Sequence, residues 1–237
     1  MAGMGGGTDL GALGFYVGVW VVMMAAMMFP SVWPMVAAYH VIASRRRELG
    51  KTAPAAGTVV FLGGYLLAWT VYGLAAYGLI RAVRGLDVEA LSWDRGGPYI
   101  AGTVILAASI YQLTPAKDVC LRKCRTPMHF FFGIWRDGLG GALRLGVEHG
   151  AWCIGCCWAL MAALFALGVM SVGWMAFVGA LIALEKLLPW KAPASYAVAV
   201  LLMVLGIAVI AAPNDVPGLG PAQMSKGSGA SMSGSMR

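Results

Sequence analysis

The sequence predicts an all-α fold, a polytopic transmembrane helical bundle of about six helices. Three observations carry this expectation. The 237 residues are 60% hydrophobic and only 11% charged. The mean hydropathy of +0.77 is far above what the charged surface of a soluble domain allows. Finally, a hydrocarbon core of roughly 30 Å takes about 20 apolar residues per helix, and several stretches separated by short polar joints approach that length.

In chain order the helices are expected at about Gly14–Ala43, Ala55–Ile80, Tyr99–Leu113, Gly150–Ser171, Val172–Leu188 and Ser195–Ala212. The third and fifth are short, so their ends must use flanking residues. The start, MAGMGGGTDLGALGF, lacks a basic leader, and the first apolar run is too long for a signal-peptide core, so the first helix is expected to stay. No internal repeat is evident. The expected organisation is an extracytoplasmic segment over 1–13, one membrane domain over 14–212 and a disordered Gly/Ser/Met-containing tail over 213–237.

Orientation follows from Lys and Arg. The first loop sets Arg45, Arg46, Arg47 and Lys51 against Glu48 alone. The next balances Arg81, Arg84 and Arg95 with Asp87, Glu89 and Asp94. The connection from Thr114 to His149 carries Lys117, Arg122, Lys123, Arg125, Arg136 and Arg144, and the joint after the fifth helix carries Lys186 and Lys191. Loops one, three and five therefore read as cytoplasmic, which places both termini outside. The net charge of +7 reflects this topology and contact with the anionic lipid of a bilayer. Basic residues scattered over short loops do not form a nucleic-acid surface. No phosphate loop, G-x-S-x-G or H-E-x-x-H motif occurs, which excludes ATP-driven transport by this chain alone, and no catalytic residue can be named.

The chemistry lies in the sulfur. All five cysteines fall between Cys120 and Cys157, beside the third basic connection, where cytoplasmic thiols stay reduced. In HGAWCIGCCWALM, His149 to Met161, about 100° per residue puts His149, Cys153, Cys156 and Cys157 on one face, provided the helix extends back to His149. In YQLTPAKDVCLRKC, Tyr111 to Cys124, Cys120 and Cys124 lie four apart and share a face of any helix continuing past Pro115. The chain returns after this segment, so the two groups can meet at one depth and enclose an ion. Thiolate and imidazole suit Cu(I), zinc or iron–sulfur centres. The alternative is that these thiols are buried as small apolar groups.

A second sulfur feature is WVVMMAAMMFPSVWPM, in which Met23 and Met27, and Met24 and Met28, form two i, i+4 stripes that Met35 extends. Thioethers favour Cu(I) and bind zinc poorly. Pro30 and Pro34 are expected to kink or loosen the helix just beyond them. The competing reading is that these methionines fill gaps in apolar packing. Met1, Met4, Met224, Met232 and Met236 could collect Cu(I) weakly outside.

Glu185 and Lys186 sit within an apolar run, where ionisable groups are costly. Glu185 needs a partner, which Lys117, Arg144 or Lys186 could supply, and Lys117 and Glu185 are expected to support the metal ligands from behind. The segment Pro127–Gly150, rich in aromatics and then in spaced charges, suits an interfacial position between helices three and four. His129 and His40 are weaker ligand candidates.

These motifs, with WMAFVGALIALEKLLP on the fifth helix, resemble the domain-of-unknown-function family 2182, the predicted metal-binding integral membrane proteins. The resemblance covers about residues 15 to 210. It implies a small polytopic protein of a bacterial cytoplasmic membrane with a presumed metal site in its cysteine motifs. Carried over by motif position are Met23, Met24, Met27, Met28, Pro30, Tyr111, Pro115, Lys117, Cys120, Cys124, His149, Cys153, Cys156, Cys157, Trp158, Met161, Glu185 and Lys186.

Cu(I) handling, by binding, transfer or transport through Cys and Met ligands, is the leading expectation, with zinc as the alternative metal. A copper chaperone or the subunits of a larger membrane complex would be its partners. Two other classes remain open: a thiol/quinone membrane oxidoreductase using Cys153 and Cys156, and an accessory subunit in which the sulfur is merely buried.

Overall fold

The computed structural model describes residues 9–50, 55–84, 97–167, 172–188 and 191–212. Outside them lie Met1, Met4, Lys51, Asp87, Glu89, Asp94, Arg95, Ser171 and the tail with Met224, Met232 and Met236. The described residues are all-helical, with no strand. In order the helices are α1 (Asp9–Glu48), α2 (Gly57–Arg84), α3 (Gly97–Gln112), α4 (Pro115–Arg125), α5 (Pro127–Ile134), α6 (Gly138–Leu167), α7 (Val172–Leu187) and α8 (Lys191–Ala211).

Each of the six apolar stretches read from the sequence folds as helix: α1, α2, α3, α6, α7 and α8. Four of them, over Leu13–Glu48, Gly57–Leu79, Gly138–Leu167 and Pro193–Ala211, are long and apolar enough to cross a membrane. A fifth candidate is the pair α3 and α4, which meet at a 68° bend. With 16 residues, or about 24 Å at 1.5 Å per residue, α7 falls short by length alone. Prolines punctuate the connection. Pro115 opens α4, and Pro127 opens α5 after Thr126, because the residue before proline is disfavoured as helix.

α1 carries Pro30 and Pro34 within one 40-residue helix. One expectation changes: the second half of the expected interfacial segment is the start of α6, which begins at Gly138 rather than Gly150. Gly138 takes the left-handed φ of 81° that glycine alone adopts readily, and so turns the chain into the helix. The first half also turns inward, since Phe130 and Phe131 are buried while Met128 and Phe132 are exposed.

The chain forms two compact units, residues 1–87 with 118–156, and 88–117 with 157–237. In the first, backbone meets backbone. A Cβ added at Gly146 would fall on the Phe61 carbonyl, one at Gly64 on the Leu143 carbonyl, and one at Gly150 within 2.7 Å of Ala68 Cβ. Gly146 and Gly150 are four apart on α6, as Gly64 and Ala68 are on α2. This small-xxx-small pattern lets two helix backbones approach closely. α1 joins α2 through Trp20 Nε1, which donates to Trp69 O at 2.9 Å, and Tyr16, which donates to Gly73 O at 3.1 Å. At the far end of α1, Tyr39 stacks between Phe61 (5.0 Å) and Trp135 (5.3 Å), and Arg46 pairs with Asp137 at 2.7 Å.

In the second unit α3 and α8 run antiparallel: Gly102 meets Gly206 and Ile210, and seven residues on Ser109 Oγ donates to Ala199 O at 2.7 Å. α7 packs on α8 beside an apolar cleft of about 300 Å³ bordered by Leu181, Leu184, Glu185, Ala197 and Leu201.

Candidate metal centre

The 30-residue α6 provides the frame. It contains His149, so the condition for one shared face is met. Cys153, Cys156 and Cys157 occupy i, i+3 and i+4, positions that neighbour each other on a helix surface. Their three sulfurs lie within 4.8 Å of one another, and their residues are 0%, 3% and 2% exposed. Among the described residues this is the one set of three or more His, Cys, Asp or Glu that is so close. All five cysteines are free thiols.

The α4 cysteines come to the same place. Cys124 Sγ lies 3.9 Å from Cys156 Sγ. Gly155 lets Cys120 approach, since a Cβ there would sit 2.8 Å from the Cys120 sulfur. Cys120 and Cys124 are half-buried, whereas the α6 set is sealed. The spacing fits a soft ion. With metal–sulfur bonds of about 2.3 Å, ligands of one ion stand about 3.8–4.0 Å apart, the distance between Cys124 and Cys156. The donors are all sulfur, which suits Cu(I) and also zinc.

His149 is buried one turn before Cys153 but lies outside the three-sulfur set. Its ring packs among Phe61 (6.1 Å), Tyr65 (5.8 Å) and Phe130 (5.5 Å). His40 and His129 are exposed, and His40 Nδ1 lies 3.4 Å from Thr58 Oγ1. On α1, Met24, Met27 and Met28 are buried, as is Met35, while Met23 is half-buried.

Two neighbours were not singled out from the sequence. Gly155, inside the HGAWCIGCCWALM motif, makes room for Cys120. Tyr65 of α2, fully buried, places its hydroxyl 3.1 Å from Cys153 Sγ across 88 residues of chain. No local pattern marks Tyr65. Tyr65→Phe keeps the ring against His149 and removes this polar contact. We expect a loss of about 1 kcal/mol, or about 2–4 °C in melting temperature for a chain of this size. Thermal unfolding of both proteins in one detergent checks it, and equal melting temperatures would show that the contact contributes nothing.

The charged pair lies in the second unit. Lys117 Nζ stands 2.5 Å from Glu185 Oε1 and also donates to Gln112 Oε1. Lys117 and Glu185 are 1% and 2% exposed. Of the partners considered for Glu185, Arg144 instead takes Glu148 at 2.8 Å. Lys117 starts the helix that carries Cys120 and Cys124, so the pair anchors the first turn of α4.

The fold and the site together define an all-helical protein with a buried set of soft thiols close enough to share a metal ion. Over residues 17–209 the chain matches the family model described as PpoB2, copper chaperone, and it belongs to that family. No curated protein and no solved structure matches the chain.

Proposed function

We propose that this protein is a membrane-embedded Cu(I) chaperone that receives the ion as cargo at the α6 thiols and passes it to a partner. The observation that carries the reading is the sealed set of Cys153, Cys156 and Cys157 within 4.8 Å, with Cys124 3.9 Å from Cys156. The family description supports copper as the cargo. Thiolates hold the d¹⁰ ion as Cu(I). Cys120 and Cys124, being half-buried, serve as the receiving ligands, and the α6 trio as the store. Lys117 and Glu185 hold α4 in place behind them. His149 positions Tyr65 and the helix face. The α1 methionines Met23, Met24, Met27 and Met28 supply weaker sites for the same cargo. The four long apolar helices support a place in a bilayer, and we assign it to a bacterial cytoplasmic membrane. The resemblance to family 2182 and the PpoB2 match span nearly the same residues, and we read them as one family.

The test is copper content. Protein purified in nanodiscs and loaded anaerobically with Cu(I) should hold copper near stoichiometry. The variant with Cys153→Ser, Cys156→Ser and Cys157→Ser should lose at least 90% of it. A variant that keeps its copper would remove the α6 site. A wild type that holds zinc in preference to Cu(I) would replace the cargo.

A further inference from the structure

The buried face of α6 does not end at the cysteines. Met161 follows Cys157 by four residues and is 1% exposed. His149, Cys153, Cys157 and Met161 thus recur at a spacing of four along one unbroken helix, each at most 2% exposed. Twelve residues at 1.5 Å each make this row about 18 Å long, more than half of a hydrocarbon core of roughly 30 Å. Helical side chains lean toward the N-terminus, so the Met161 thioether overlies the turn that bears Cys157. Positions four apart place their Cβ atoms about 5–6 Å apart, and the three rotatable bonds of methionine cover that gap.

We propose that Met161 is a Cu(I) ligand, the station through which the ion leaves the thiol set along α6. The proposal rests on the chaperone reading and adds a path to it. The step is ligand exchange without electron transfer. A bond from copper to Met161 Sδ forms, a bond to Cys157 Sγ breaks, and copper stays Cu(I). The freed thiolate is reprotonated as the ion departs, reversing the deprotonation that loading required. A neutral thioether holds Cu(I) less firmly than thiolates do, which suits a station rather than a store. It also selects, because zinc gains little from a thioether.

Full-length protein in nanodiscs, loaded with one Cu(I), is mixed with a Cu(I)-specific chelator and release is timed. Met161→Leu preserves volume and apolarity, so the fold is expected to survive. It should keep the wild-type copper content yet release the ion about tenfold more slowly, with zinc release unchanged. Met161→Ile, a second apolar side chain without sulfur, should release Cu(I) as slowly as Met161→Leu. Release from either variant at the wild-type rate overturns the relay while leaving the chaperone reading intact. A wild type that takes up no Cu(I) removes both.

Discussion

Glu185→Leu or Lys117→Met alone should sharply destabilise the protein, while the two together should recover most of the loss. Each single change leaves one full charge in a site where Lys117 and Glu185 are 1% and 2% exposed. Breaking a buried pair from one side costs about 3–5 kcal/mol, against a typical stability of about 5–15 kcal/mol. Replacing both partners with apolar groups of similar volume is often neutral or stabilising. The comparison therefore separates the cost of an orphaned charge from any need for the pair itself. Gln112 loses a partner in the double variant, so its recovery should be incomplete by about 1 kcal/mol. Monodisperse yield and thermal unfolding in one detergent decide it. A double variant no better than either single one would mean that the pair holds α4 by geometry that apolar side chains cannot supply.

Gly146→Leu should have an effect of similar size by another route. The residue touches backbone, not a side chain: an added Cβ would fall on the Phe61 carbonyl and come within 3.0 Å of the Tyr65 amide nitrogen. A rotamer change cannot relieve that contact, so α2 and α6 must separate. Overpacking that side chains can absorb costs about 1–3 kcal/mol, and this substitution should reach or exceed the upper end. Separation would also carry Tyr65 away from Cys153, so copper content should fall together with stability. Gly140→Leu is the control, as nothing lies within 4 Å of a Cβ built there. Equal stability of the two variants would refute the close contact.

The sequence made the α6 site legible because its logic is local. Cysteines at i, i+3 and i+4 meet on any helix, wherever the helix goes. Six apolar stretches were legible for the same reason. The start of α6 was not, because Arg144 and Glu148 make residues 138–149 look like a surface strip. Those two charges satisfy each other at 2.8 Å along the helix, while Ala142, Leu145 and Gly146 turn inward. Tyr65 was invisible beside Cys153, since a contact across 88 residues leaves no trace in spacing. The choice of Lys117 over Arg144 for Glu185 was likewise a matter of packing. The α1 methionines show the limit of pattern: their burial, like their stripes, is what either a ligand or a space-filling residue would show.

The long-buried face of α6 has a consequence for how such a protein would keep its cargo. An ion among side chains that are 0–3% exposed is out of reach of dissolved glutathione or any other competing thiol in water. Its lifetime there would be governed by the frequency of internal ligand exchange, not by the depth of the well. Retention would then be kinetic, and the affinity could remain low enough for delivery to a partner to run downhill.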